Sequence, residues 1–241
     1  MPRVSATRAP NCIRAADITP NRAWQSRVRG LWRRFVLQKP PRSRDGDWSA
    51  YYDAAEADAA WQWPIIDPYL KGSPKPDLSI VLDFACGRGR IAERFADISG
   101  KLICTDMSVD AIEACRRRFA GNPNVECLVN GNGSIPVPSG SVTFLYSWDA
   151  MVHFNCSELE EYFVEFKRVL KTDGLALIHH SNYAALSSVA RPWTENPGSR
   201  AYVSAEDVRR IGEKYGFSIV SQRVMDWSEA NLDCITVLKN R

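Results

Sequence analysis

Two carboxylates and two glycines stand at spacings that suit a nucleoside ligand. In Val81-Leu82-Asp83-Phe84-Ala85-Cys86-Gly87-Arg88-Gly89-Arg90, a β-branched run ends in a turn holding Gly87 and Gly89. Without Cβ atoms there, a ligand can approach the backbone, and the free N–H groups of a following helix can meet a polar or anionic group. Asp106 ends the next apolar run, 19 residues after Gly87. There its carboxylate can accept from both hydroxyls of a ribose. The three histidines, His153, His179 and His180, follow two later strand-like runs. An imidazole, with an unperturbed pKa of about 6.5, suits removal of a proton from a hydroxyl.

These residues need a parallel sheet to bring them together. From Ser79 onward, short β-branched runs alternate with longer helix-like segments, the pattern of βαβ units. Strands are predicted at 79–84, 101–105, 125–129, 141–147 and 175–180. Helices are predicted at 90–98, at 108–120, and at 158–171, the last opened by a capping box of Ser157 with Glu160 and closed by Gly174. Ser204 with Asp207 opens a further helix, ended by Gly216. The closing strands, 218–226 and 232–239, are too close in sequence for a parallel crossover and are expected to pair antiparallel. The expected architecture is α/β: a doubly wound seven-stranded sheet of parallel strands with one antiparallel C-terminal strand.

The glycine turn suits more than one nucleotide cofactor. Gly87, Gly89 and Ala92 also fit the G-x-G-x-x-A dinucleotide pattern. None of the eight tyrosines, however, has the lysine four residues later that a short-chain reductase requires. Asp83 discriminates, because a carboxylate four residues before the first glycine sits poorly beside a pyrophosphate and suits a cofactor carrying an ammonium group. In the motif D-x-x-x-G-x-G at 83, 87 and 89, and in the acid at 106, the chain resembles the class I, Rossmann-like S-adenosylmethionine-dependent methyltransferases of the small-molecule-modifying type. The resemblance covers residues 47–241, including the segment 135–141 before strand four and 147–154 after it. It implies S-adenosyl-L-methionine as cofactor, held by Asp83, Ala85, Gly87, Gly89, Asp106, Met107, Asn130, Gly131, Asn132, Ser147 and Trp148. Two positions depart from the family. Thr143 stands where most relatives carry Asp, and amides within Asn130-Gly131-Asn132 replace the acid that often contacts adenine, though an amide oxygen can still accept from its amino group.

In open α/β sheets ligands bind beyond the carboxyl ends of the strands, which places a methyl acceptor beside the residues after strands four and five. His153 and His180 are the candidate bases. Alternation puts His179 and His180 on opposite faces, and His180 is expected to face the pocket on the side of Asn182. Tyr52, Asp149, Met151, Asn182, Tyr183 and Trp193 are the candidate acceptor contacts, with 191–202 expected as a lid carrying Arg191 and Arg200. The N/D-P-P-Y/F run of nucleic-acid amino-methyltransferases is absent, Ser147-Trp148-Asp149-Ala150 standing in its place, which argues for a small molecule and against nucleic acid. The expected reaction is methyl transfer to a small polar metabolite, at a hydroxyl of a sugar or natural-product type. The alternatives are N-methylation of a small amine, or a non-catalytic module that tethers to a membrane or nucleic acid through a basic N-terminal helix.

Charge divides the 241 residues in two. Residues 1–44 hold 11 Lys+Arg against one acid, +10, and the remainder 20 against 27, −7. Within the arm, Trp24, Val28, Leu31, Trp32, Phe35 and Val36 recur at helical spacing among arginines, so 21–38 reads as a basic amphipathic helix. It could tether the chain to an anionic membrane or nucleic acid, or pack on the body or on a second subunit. An arginine-rich leader could also be an organelle transit peptide, although this one has few serines. The expected domains are a basic extension, 1–44, and a methyltransferase domain, 45–241. No apolar run reaches the roughly 18–20 residues of a membrane span, and the leading residues lack a signal peptide's apolar core, so a cytoplasmic location is expected. The seven cysteines are odd in number and form no C-x-x-C, so neither disulfides nor a metal site is expected.

Overall fold

A computed structural model describes residues 49–131 and 133–241. The amphipathic segment 21–38, the boundary at 44 and Asn132 lie outside them. Seven strands form one sheet: β1 (Ile80–Phe84), β2 (Lys101–Asp106), β3 (Val125–Val129), β4 (Val142–Ser147), β5 (Leu170–Ser181), β6 (Phe217–Met225) and β7 (Asp233–Asn240). Their order is β3-β2-β1-β4-β5-β7-β6, with β7 antiparallel to both β5 and β6 and the other described pairings parallel. This is the expected doubly wound sheet. Chain order reverses direction between β1 and β4, the crevice where such sheets hold ligands.

Alternation along the central strands separates two apolar layers. Val81, Phe144, Tyr146, Leu175 and Leu177 point into one, under α2 (Ala59–Lys71), α3 (Ala92–Ala96) and α4 (Val109–Arg118). Leu82, Phe84, Leu145, Ala176 and Ile178 point into the other, under α5 (Cys156–Val169) and α6 (Ala205–Lys214). Ahead of the sheet, α1 (Ser49–Ala55) and α2 were not predicted. Pro64 and Pro68 inside α2 break the helical pattern there, and its buried positions include Gln62, a polar residue.

Two boundaries are corrected. The box opening α5 is Asn155 with Glu158, two residues before the predicted Ser157 with Glu160. Ser157 instead donates its hydroxyl to Asn155 Oδ1 at 2.6 Å. Gly174 does not end that helix but lies inside β5, where a Cβ would come within 2.9 Å of Lys171 O and 3.1 Å of Thr143 O. Its glycine permits an irregular β4–β5 register between Val142 and Phe144. The Ser204–Asp207 box opens α6 as predicted, both bonds being present. Among the described residues, no helix is long and apolar enough to cross a membrane.

Candidate functional site

The turn after β1 passes through three left-handed residues, Ala85 (φ 58°), Gly87 (φ 55°) and Gly89 (φ 81°). The glycines are required sterically as well as conformationally. A Cβ at 87 would meet the Tyr52 ring at 2.9 Å, and one at 89 would meet Cys115 Sγ and Phe119 at the same distance. Asp106, at the end of β2, fixes this turn: Oδ2 accepts from Gly87 N at 2.8 Å and Oδ1 from Ser108 N at 2.9 Å. Each oxygen keeps a second lone pair, enough to accept a hydroxyl. Burial pushes the Asp106 pKa up against those bonds.

The turn opens into a cleft of about 920 Å³. Ala85, Gly87, Asp106, Met107, Asn130 and Trp148 line it, as do Tyr52, Asp149 and His153. Asn130 Oδ1 is buried there without a hydrogen-bond partner. A buried acceptor left unsatisfied costs about 1–3 kcal/mol, which a donor entering the cleft would relieve. A nucleoside fits this set: Asp106 for ribose hydroxyls and Asn130 for an adenine amino group.

Beyond Asp106 the cleft continues into a charged, aromatic chamber. Asp149, held at φ 57°, accepts from Tyr51 Oη at 2.9 Å and from Arg90 at 3.0 Å. Its backbone N–H donates to His179 Nδ1 at 3.2 Å, so the His179 proton resides on Nε2 and is donated to Asp233 Oδ2 at 2.8 Å. Arg200 closes the network on Asp233 with bonds of 2.8 and 2.6 Å. The Arg200 charge holds the fully buried Asp233 carboxyl well below the usual carboxylate range in spite of burial. The His179 ring lies between Trp148 and Trp227, with centroids 4.6 and 4.7 Å away. Gln62 Oε1 takes Trp148 Nε1 at 3.0 Å and also Arg90, tying α2 to the chamber floor. His153 donates from Nδ1 to Ser199 O at 2.7 Å, which leaves Nε2 as the acceptor atom of the neutral ring.

Other expected site residues stand elsewhere. His180 faces the opposite layer from His179: Nδ1 bonds Ser181 O at 2.8 Å and Nε2 bonds Thr236 Oγ1 at 2.7 Å. Burial pushes its pKa down to about 4, so it is a packed neutral imidazole rather than a base facing the cleft. Asn182 does not share a cleft face either; it bridges Asn231 O and Ala205 N, both at 3.0 Å. Met151 is fully buried in the layer beneath α5 and α6. Tyr183 packs on Tyr202, and Trp193 backs the His153 ring at 5.1 Å without lining the cleft. Asp83 sits behind the turn, where alternation aims it at Tyr146, whose hydroxyl it accepts at 2.6 Å. The direct ammonium contact expected of it is not what this placement offers. Gly89 packs on α4, Gly131 forms an isolated bridge with Ser134, and Ser147 is enclosed at the end of β4. Arg90 and Phe154 line the cleft without having been predicted as contacts. No local motif marks them, since their partners lie far away in sequence.

Comparison with known proteins agrees with this geometry. Residues 81–174 match the family model described as a methyltransferase domain. A malonyl-[acyl-carrier protein] O-methyltransferase of Yersinia pestis is 25% identical over 121 residues, 50% of this chain and 43% of that protein. A probable S-adenosylmethionine-dependent methyltransferase of Mycobacterium tuberculosis is 24% identical over 149 residues, 62% of this chain and 52% of that protein. The chain thus spans about half the length of the curated relatives it matches. In fold it is similar to a solved protein of Pyrococcus horikoshii OT3, with TM-score 0.60, 20% identity, and coverage of 87% of this chain and 99% of that one. It is also similar to the geranyl diphosphate C-methyltransferase of Streptomyces coelicolor A3(2), with TM-score 0.62, 15% identity, and coverage of 92% and 100%. The matched region, the strand order and the Gly87–Asp106 turn together support a class I S-adenosylmethionine-dependent methyltransferase.

Proposed function

We propose that the protein transfers a methyl group from S-adenosylmethionine to a hydroxyl of a small acceptor that has an apolar or aromatic body. The observation that carries this reading is His153, which lines the same cleft as Gly87 and Asp106 with Nδ1 tied to Ser199 O. The cofactor supplies an electrophilic methyl on a sulfonium; the chain must align an acceptor oxygen and take its proton. Nε2 of His153 is the atom suited to the proton, and Tyr51, Trp148, Phe154 and Tyr162 offer aromatic walls to the acceptor's body. Arg90 is already paired with Asp149, and Arg200 with Asp233, which favours a neutral acceptor over an anionic one. The Yersinia relative's name, an O-methyltransferase, supports oxygen as the target.

N-methylation of a small amine is a second reading. It is supported by Asp149 Oδ1, a buried carboxylate oxygen at the cleft with no hydrogen-bond partner and Arg200 at 3.7 Å. The test is a screen of hydroxylated and aminated metabolites for release of S-adenosylhomocysteine, followed by His153→Ala on the best acceptor. For a hydroxyl acceptor, kcat should fall by roughly 10²–10⁴ with cofactor affinity unchanged. An unchanged kcat for a hydroxyl acceptor, or turnover of amines alone, would remove His153 from this role. Deletion of residues 1–44, with turnover and retention on anionic vesicles or RNA as readouts, tests whether the basic arm serves the reaction or a surface.

A further inference from the structure

Four cysteines that no sequence spacing relates meet behind the cofactor turn. Cys86 comes from the turn after β1, Cys104 from β2, Cys115 from α4 and Cys127 from β3, and all four are buried. The sulfurs of Cys86, Cys104 and Cys115 all lie within 4.8 Å of one another. Cys127 Sγ is 3.5 Å from Cys115 Sγ. Around a tetrahedral zinc with Zn–S bonds of about 2.3 Å, sulfurs stand about 3.8 Å apart, so Cys86, Cys104 and Cys115 need only small side-chain movements to become ligands, with Cys127 adjoining them at Cys115. We propose that these cysteines form a binding site for a thiophilic d¹⁰ cation, Zn²⁺ with four sulfurs or Cu⁺ with three.

Soft thiolate donors select such cations. Within the cluster Cys127 Sγ donates to Cys115 Sγ, while Cys86 Sγ donates to Gly87 O at 3.3 Å. Each ligand that binds as thiolate releases its proton to solvent, so occupancy rises with pH. Cys86 lines the cleft and gives a cation its way in. The site touches the cofactor machinery at two points. Cys86 immediately precedes Gly87, whose N–H Asp106 holds, and Cys115 Sγ occupies the space that a Cβ at Gly89 would need. A bound cation would therefore stiffen the turn from behind.

The test uses the full chain, reduced, freed of metal with a chelator and titrated anaerobically with Cd²⁺. One equivalent should bind with thiolate-to-cadmium charge-transfer absorption, and the tighter competitor of Zn²⁺ and Cu⁺ identifies the preferred cation. Cys104→Ala and Cys115→Ala, checked for fold by circular dichroism, should lose more than the roughly 10–100-fold that removal of an indirect partner costs a metal site. Cys156→Ala, on α5 and outside the cluster, should bind as the unmodified protein does. Should the cluster variants not fold, the unmodified chain alone decides, because a cation that binds only the folded state raises its melting temperature. Absence of a stoichiometric band and of a melting shift, or undiminished binding in both folded variants, would overturn the site.

Discussion

The two halves of the cleft are built by different physics. On the β1–β3 side, recognition rests on backbone: a turn of left-handed residues, two N–H groups and one carboxylate that grips them, all within Ala85–Ser108. On the side that follows β4 it rests on side chains drawn from across the chain, braced from behind by buried residues of β5 and β7. Tyr51 reaches Asp149 over 98 positions, Trp148 reaches Gln62 over 86, and His179 reaches Asp233 over 54. A cofactor common to a family can be held by a local motif. An acceptor particular to one protein is met by a network that any strand end can be recruited to build.

If that division holds, damage to one half should leave the other intact, and the sharpest break lies in the buried charges. Asp233→Ala strands Arg200, which is 3% exposed, without its carboxylate and takes the Nε2 partner from His179. Loss of one partner of such a pair costs about 3–5 kcal/mol, readable as a lower urea midpoint. Cofactor affinity of the remaining folded protein, measured by calorimetry, should stay near that of the unmodified chain. A parallel fall would mean that the halves are one cooperative unit.

His180 offers a pH probe of the acceptor side's opposite face. Its folded pKa is depressed to about 4 by burial, against about 6.5 unfolded, so the native state disfavours its charge. The unfolded chain then binds the extra proton, and stability present above pH 6.5 is lost as pH falls towards 4, by about 3 kcal/mol in total. The buried acids, Asp83 and Asp106 with raised pKa values, contribute slopes of the opposite sign. The difference between the unmodified chain and His180→Asn isolates the histidine. That difference should shrink between pH 7 and 4.5 in chemical denaturation; a pH-independent difference would show the ring titrating normally.

On the cofactor side, Asp106→Ala removes the acceptor proposed for the ribose and frees Gly87 N and Ser108 N. Hydrogen bonds to a charged partner contribute about 1.5–3 kcal/mol, so S-adenosylmethionine affinity should drop roughly 10–100-fold in calorimetry. Asp106→Asn, which keeps an acceptor oxygen, should lose less. Equal loss in both would assign the effect to charge rather than to the hydrogen bonds.

The same division explains what could be read in advance. The parallel βαβ sheet, the antiparallel closing pair and the glycine-bearing turn with Asp106 follow from alternation, chain separation and glycine placement, which are properties of neighbours in sequence. His180 was misplaced because alternation says that His179 and His180 part company, but not that neither ring reaches the cleft. That is decided by Trp148 and Trp227 closing around His179 and by Thr236 receiving His180. Asp83 was expected in the cleft because its spacing to Gly87 fits a motif, whereas its direction depends on Tyr146, 63 positions away. The helices before β1 escaped notice since prolines interrupt α2 and its polar Gln62 is buried for the sake of Trp148 and Arg90.

Thr143 gives the finest test, because it departs from the family pattern without touching the cleft. Its Oγ1 accepts from Ile80 N at 3.0 Å and lies 2.7 Å from Asp77 O and 2.9 Å from Ile80 O, pinning the amino end of β1 to β4. That is the end of the strand opposite to the glycine turn. Thr143→Val keeps the shape but leaves Ile80 N–H without this acceptor, and should cost about 1 kcal/mol of stability. Thr143→Ser, which retains the hydroxyl, should recover most of it. Neither should change cofactor affinity, since β1 pairs with β2 along its full length and β2 carries Asp106. A change in affinity with Val but not with Ser would mean that the turn feels the anchoring of β1 from its far end, and that even the motif-built half of the cleft depends on contacts far from it in sequence.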